Sequence, residues 1–298
     1  MPKIAVLGPG GVGGFVAAAL AHAGEEVVVV AREPTAEWIE RHGIRVRSVL
    51  LGEFSARPAA VARLSGPATV LIVATKATTL EPALARIHTE PGLVVPLLNG
   101  IEHMDVLRRQ FPRVAAGVIR IDSDRAAPGR IVQRSPTARV DLAAPAEPLA
   151  PALRKSGLEV RIGEGETQIL WSKLMRLTAL ACTTSAADAT IGYIRTDPRW
   201  RSALEGAVRE TAAVATAEGA ALDPADTLAE LEQAHADLGS SMRRDIAAGR
   251  EPELDAIAGA VIRAGERHGI SCPTIAGLRD RIAARAAALT RSSPTAAA

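Results

Sequence analysis

The chain has 298 residues, 48% hydrophobic and 23% charged, with 25 glycines and 19 prolines dispersed along it. That is room for two packed cores, and it excludes a low-complexity or fibrous chain. A formal net charge of +2, with 35 Lys and Arg interleaved with 33 Asp and Glu, offers no basic stripe to nucleic acid or an anionic membrane, so a small-molecule partner is expected.

From Lys3 to about Asp122 the runs "KIAVL", "EVVVV", "IRVRSV", "TVLIVAT", "LVVPLL" and "VAAGVIRI" alternate with helical stretches such as 12–23 and 78–89. This is the rhythm of βαβ units, and continuous Val/Ile runs imply strands buried on both faces of a parallel sheet. "GRIVQRS", "ARVDLA" and "LEVRIG" predict a short run of strands that completes the domain. After Gly165 the pattern predicts helices over 167–187, 199–219, 224–237, 240–248, 252–268 and 273–290, with Pro198, Pro224, Pro252 and Pro273 where helices start. The closing "RSSPTAAA" is expected to be disordered. No apolar run approaches the roughly 20 residues that span a bilayer, and no signal-type core follows Met1, so a cytoplasmic, non-membrane protein is expected. Cys182 and Cys272 lie outside any CxxC pattern and the six histidines form no ligand pair; free thiols and no metal site are expected.

"KIAVLGPGGVGGFVAAALAHAG" carries Gly8-Pro9-Gly10-Gly11-Val12-Gly13, a GxGxxG placed between a strand and an apolar helix. Gly8 permits the tight turn, Gly10 lets a pyrophosphate approach the backbone, and Gly13 allows close packing of helix on strand. The helix N-terminus then presents free N–H groups and partial positive charge to the phosphates. A glycine-rich turn that binds nothing is the plain alternative. After the second strand, "VVVVARE" places Arg32 first and Glu33 next: an arginine neutralises a 2′-phosphate, whereas a carboxylate would take a ribose 2′-hydroxyl. Arg32 favours NADP, with Glu33 turned to solvent. Lys76, after "VLIVAT", is either a second cation near the cofactor or a solvated loop lysine. The expected fold is α/β: an N-terminal Rossmann-type doubly wound parallel sheet that binds NADP, residues 1–165, followed by an all-helical C-terminal substrate and catalytic domain, residues 166–298.

"ILWSKLMRLTALA", residues 169–181, places Lys173 in line with Ile169, Leu170, Leu177 and Leu180 on a helix, while Gln168, Ser172 and Arg176 make a separate polar stripe. A lysine there either lays its stem along apolar surface with its head in water or serves a function in the fold's interior.

The order of motifs, GxGxxG, then "ATK" at 74–76, "LLNGIE" at 97–102, "LWSKL" at 170–174 and "SSMRRDIAAGREPELDAIAGAVIRAGERHGISCPT" at 240–274, resembles the ketopantoate reductase (2-dehydropantoate 2-reductase) family along essentially the whole chain. The resemblance implies NADPH-dependent reduction of a 2-oxo acid in a cleft between the two domains, 2-dehydropantoate to pantoate in pantothenate biosynthesis. It implies Lys173 as the proton donor to the carbonyl oxygen and Glu253 as the catalytic glutamate near it. Asn99 would orient substrate and nicotinamide, and Ser241 would bind the substrate carboxylate. Unaided, these residues read as a first-turn helix carboxylate, an Asn-Gly turn and a helix N-cap. Burial disfavours a lysine's charge and a nearby carboxylate restores it, so the resemblance implies an ammonium at neutral pH and a rate that falls on the alkaline side.

The chain also departs from that family. Where members commonly carry asparagine it has Leu177, Ala181 and Ile191, and Leu98 replaces the usual glutamine before Asn99. Hydrogen bonds to a polar oxo acid would be lost there. The expected substrate is therefore either 2-dehydropantoate or a less polar oxo acid or ketone, and a non-catalytic NADP-binding sensor is the third reading. The apolar faces of the helical domain could supply a homodimer interface.

Overall fold

The computed structural model describes residues 3–163 and 165–292. Its first part runs through β1 (Ile4–Leu7), α1 (Gly11–His22), β2 (Val27–Val30), α2 (Glu33–His42), β3 (Ile44–Ser48), β4 (Gly52–Ala56), β5 (Ala59–Val61), β6 (Val70–Val73), α3 (Leu80–Leu84), β7 (Val94–Pro96) and α4 (His103–Gln110). Then follow β8 (Gly117–Arg120), β9 (Ser123–Ala127), β10 (Arg130–Gln133), β11 (Arg139–Ala143), α5 (Ala150–Lys155) and β12 (Glu159–Gly163).

Unbroken Val/Ile runs form the centre of a five-stranded sheet, order β5-β2-β1-β6-β7, parallel throughout. Alternate side chains of each strand enter different cores, as a doubly covered sheet requires. Ile4, Val6, Val27, Val29, Val70 and Ile72 pack with Phe15, Val16 and Leu20 of α1. Ala5, Leu7, Val28, Val30, Leu71 and Val73 pack with Leu80, Leu84 and Leu107 of α3 and α4. Helix α1 is buried from Gly13 to Leu20, because it lies between the parallel sheet and a second one.

That second sheet, order β4-β3-β10-β9, corrects one expectation. "IRVRSV" joins it rather than the parallel sheet, and its side chains alternate, with Ile44, Val46 and Ser48 buried and Arg45 and Arg47 exposed. Alternation of this kind marks a sheet covered on one face. "VAAGVIRI" likewise gives β8, in a three-stranded sheet of order β12-β11-β8. Strands β4, β5 and β9 were not foreseen, since "GEFSA", "AAV" and "SDRAA" hold few β-branched residues. The helix expected over 78–89 shrinks to a 3₁₀ turn, Ala77–Thr79, and the five residues of α3.

The remaining elements are α6 (Glu166–Ala187), α7 (Ile191–Thr196), α8 (Pro198–Ala217), α9 (Pro224–Gln233), α10 (Ser241–Ala247), a π turn (Asp255–Gly259) leading into α11 (Ala260–Arg267), and α12 (Pro273–Ser292). Asp197 and Asp223 cap α8 and α9, accepting from Trp200 N at 3.0 Å and Ala225 N at 2.8 Å, with proline in the first turn. Glu210 does the same for α12, accepting from Thr274 N and Ile275 N at 2.8 and 2.9 Å. Trp171, Leu174, Leu204, Val208, Ile257, Val261, Ile275 and Ile282 share one core. Helix α12 takes in Arg291 and Ser292, the first two residues of "RSSPTAAA"; the rest of that segment lies outside the described residues. No helix among the described residues is long and apolar enough to cross a membrane. By their contacts the residues fall into two units: one holds the chain up to Leu98 and Glu102–Leu170, the other Asn99–Ile101 and the chain from Trp171 onward.

Asp188, beyond the end of α6, adopts φ +53° and meets Arg243 Nε at 2.9 Å and Arg285 Nη2 at 2.5 Å. The Arg243 hydrogen bond, then Arg285, hold its carboxyl below the ordinary value of 3.8. A depressed carboxylate stabilises the fold above its unfolded pKa, and that contribution is lost as pH falls through the folded value. Asp188→Asn keeps a side chain that tolerates positive φ. It is expected to lower Tm at pH 7 by about 1–3 °C, and the gap from the parent should close as pH drops below about 4, checked by thermal melts across pH.

Candidate active site

In the first unit, β1 delivers the chain into the glycine loop. Gly8 has φ +90°, and a Cβ there would stand 2.8 Å from Thr75 Cγ2. At Gly13 a Cβ would collide with the Gly8 carbonyl oxygen and lie 2.9 Å from Ala74 Cβ, so α1 can pack on the strand only with glycine. Gly11 meets a different neighbour, the carbonyl of Ser123 in β9, whose hydroxyl donates to Gly11 O at 2.9 Å. That use of Gly11 was not foreseen. Gly10 differs from all three: a Cβ would meet nothing within 4 Å. The first turn of α1 carries no acidic residue, and no side chain caps it. Its N–H groups are left for an anion. Val12 is half-buried beside them.

Thr75 Oγ1 is buried against this loop and has no hydrogen-bond partner among the described residues. Arg32 is exposed in extended conformation one residue beyond β2, after buried Ala31, and is followed by exposed Glu33, the first residue of α2. Lys76 is half-buried ahead of the 3₁₀ turn that follows β6. An open Gly10, an uncapped helix N-terminus and an unpartnered hydroxyl fit a dinucleotide's pyrophosphate.

A second cluster forms within the other unit. Gly100 has φ +84°, and its α-carbon sits so close to the Ala256 carbonyl that no Cβ could be inserted. The Asn-Gly pair is thus more than a turn: it seats Asn99 beside Glu253, and Asn99 Nδ2 donates to Glu253 Oε2 at 3.0 Å. Glu253 is only 9% exposed and immediately precedes the helical residues, its carbonyl accepting from Ile257 N at 3.2 Å. Because a carboxylate only accepts, the amide must turn its NH₂ toward Glu253. The second N–H and the carbonyl oxygen of Asn99 have no partner among the described residues. Such an amide is oriented and still able to bind.

Lys173 is half-buried on α6, with Ile169, Leu170 and Leu180 of its stripe buried around it in sequence. Ser241 is exposed as the first residue of α10, and the cap is one residue earlier than the sequence suggested. Ser240 Oγ accepts from Arg243 N at 3.1 Å and from Thr184 Oγ1 at 3.0 Å. The hydroxyl of Ser241 is therefore spared from capping. Of the apolar replacements, Leu98, Ala181 and Ile191 are buried, at 3%, 1% and 0% exposure; Leu177 keeps accessible surface, as does Ile101. Cys182 and Cys272 are free and buried, and burial pushes the Cys182 thiol up to about 12.

Two family models match the chain: ketopantoate reductase PanE/ApbA over residues 4–147, and the ketopantoate reductase PanE/ApbA C-terminal model over 167–286. A 2-dehydropantoate 2-reductase of Caulobacter vibrioides is 32% identical over 288 residues, 92% of this chain and 95% of that one. A PanE/ApbA family ketopantoate reductase from Ralstonia eutropha JMP134 is similar in structure, with TM-score 0.86, 25% identity and coverage of 96% and 99% of the two chains. A D-mandelate dehydrogenase solved with NADH gives TM-score 0.85 at 25% identity, with the same coverage.

Two glycine substitutions separate packing from ligand access. Gly13→Ala should destabilise the fold by about 1–3 kcal/mol, read by denaturant unfolding. Gly10→Ala should leave stability within about 0.5 kcal/mol but weaken dinucleotide binding by about tenfold or more, read by cofactor fluorescence titration.

Proposed function

The chain belongs to the ketopantoate reductase family of NAD(P)-dependent oxidoreductases, and from that premise we propose that it reduces a 2-oxo acid to the 2-hydroxy acid with NADPH. The observation that carries the reading is the Asn99–Glu253 hydrogen bond, which leaves an oriented amide with donor and acceptor to spare. Gly8, Gly10, Gly11, Val12 and Gly13 would hold the pyrophosphate at the N-terminus of α1. Arg32, exposed at the end of β2, would take the 2′-phosphate, with Lys76 adding charge. Bound there, the reduced cofactor supplies a hydride to the carbonyl carbon.

The chain's own residues do the rest. Lys173 donates a proton from its ammonium to the carbonyl oxygen, so that the C=O becomes CH–OH and the lysine is left neutral until water reprotonates it. An ammonium already aimed at that oxygen stabilises the negative charge as it develops. Glu253 fixes the amide of Asn99, whose second N–H orients the substrate. The uncommitted hydroxyl of Ser241 binds the substrate carboxylate.

The substrate that fits the relatives' names is 2-dehydropantoate, reduced to pantoate. A second reading, a less polar 2-oxo acid, is favoured by Leu177, an aliphatic side chain with accessible surface one turn beyond Lys173, and by the likeness to a D-mandelate dehydrogenase. Buried Leu98, Ala181 and Ile191 give this second reading no support, since they lie inside packed cores.

NADPH oxidation against a panel of 2-oxo acids separates the readings. Turnover of 2-dehydropantoate with high kcat/KM supports the first and preference for aryl or branched oxo acids the second, whereas cofactor binding without any turnover indicates a sensor. Lys173→Met is expected to lower kcat by about 10²–10⁴-fold with cofactor affinity retained, and to abolish the alkaline fall of the parent's rate. Arg32→Ala should raise KM for NADPH by about 10-fold or more and leave KM for NADH nearly unchanged.

A further inference from the structure

Between Glu253 and α11 the helix is wound too widely. Ala260 N donates to Asp255 O, five residues back, where an α-helix would reach four. One extra residue in a turn rotates everything before it by about 100° relative to the helix after it. Glu253 stands just before this turn and Ala256 lies within it, so both contacts that seat Asn99 and Gly100 depend on the wide winding.

One side chain spans the turn. Arg263 Nη1 donates to Asp255 Oδ1 at 2.7 Å, and Nη2 donates to Oδ2 and to the backbone oxygen of Asp255, each at 3.2 Å. The partners are eight residues apart, twice the spacing of an ordinary helix ion pair. Gly259, midway between them, makes the crossing possible: a Cβ there would lie 2.5 Å from Asp255 Oδ1 and 2.9 Å from Arg263 Nη1. The ion pair is laid over a bare strip of backbone.

We propose that Arg263 is a positioning residue for the reductase site: its strap to Asp255 across Gly259 holds the π turn, and the π turn holds Glu253 against Asn99. The proposal rests on the reading of Asn99 and Glu253 as the pair that orients the substrate. A continuous α-helix would satisfy the backbone groups of this turn equally well, so the side chains must select the wider winding. The Asp255 side chain is 80% exposed, and an exposed ion pair adds little to global stability. Its contribution should therefore appear in catalysis rather than in melting.

The test compares Arg263→Ala, Gly259→Ala and Arg263→Lys in the full chain, with NADPH and the 2-oxo acid it turns over fastest. Alanine at 259 displaces only the ends of the two strap side chains and is itself a good helix former, so that variant still folds. Both alanine variants are expected to lose kcat by about 3- to 10-fold, with KM for NADPH unchanged and Tm within about 3 °C of the parent. Lysine at 263, which keeps the charge and one donor to Asp255, should recover part of the loss. Glu253→Ala, which removes the acceptor of Asn99 Nδ2, is measured alongside and separates the two levels: if it leaves kcat unchanged, the reading of the pair fails. If Glu253→Ala loses activity while Arg263→Ala and Gly259→Ala both stay within about twofold of the parent, the strap proposal alone is overturned. A loss of kcat that tracks a fall in Tm, without recovery by lysine, also overturns it.

Discussion

A carboxylate buried to 9% exposure must be hydrogen-bonded, and in the second unit of this protein Asn99 meets that need for Glu253. Much of the local structure follows from this one bond. Gly100 lets the Asn99 segment approach the Ala256 carbonyl, Ile101 packs against the helical core, and the widened turn after Glu253 presents both groups to the segment. Three residues flanked on both sides by the first unit's chain are thereby counted with the second. The bond commits one N–H of the Asn99 amide and leaves its second N–H and its carbonyl oxygen, the groups that the proposed function assigns to the substrate.

The cofactor side is built differently. Glycines act through what they lack, and each absence has its own reason: a left-handed turn at Gly8, helix-to-strand packing at Gly13, contact with β9 at Gly11, and open space at Gly10. Backbone N–H groups at the start of α1 need no particular side chain to meet a phosphate. In the proposed function, selectivity for a 2′-phosphate falls to Arg32, outside the loop.

This difference explains what the amino-acid order reveals. The glycine loop, the parallel strands and the helical second half are legible because local spacing and Val/Ile continuity encode them directly. The alternation in "IRVRS" carries the mark of a one-sided sheet, but the βαβ rhythm around it assigns the run to the parallel sheet, and the structure corrects that. Strands β4, β5 and β9 were illegible, because their pairing rests on neighbours rather than on composition. The cap at Ser240 was displaced by one residue, since two adjacent serines satisfy the same pattern and only the Thr184 contact selects between them. Asn99 and Glu253, 154 positions apart, could be paired only through a family resemblance, and the π turn leaves no signature in hydrophobic spacing.

The account makes Asn99 and Glu253 a single unit in orienting the substrate, and a double-mutant cycle on kcat/KM tests this most directly. With Asn99→Ala, Glu253→Ala and the double variant, the account predicts that each single substitution costs activity and that the double costs no more than the worse single, because either change already removes one partner of the hydrogen bond. Losses that simply add would contradict it, and would assign the two residues independent roles.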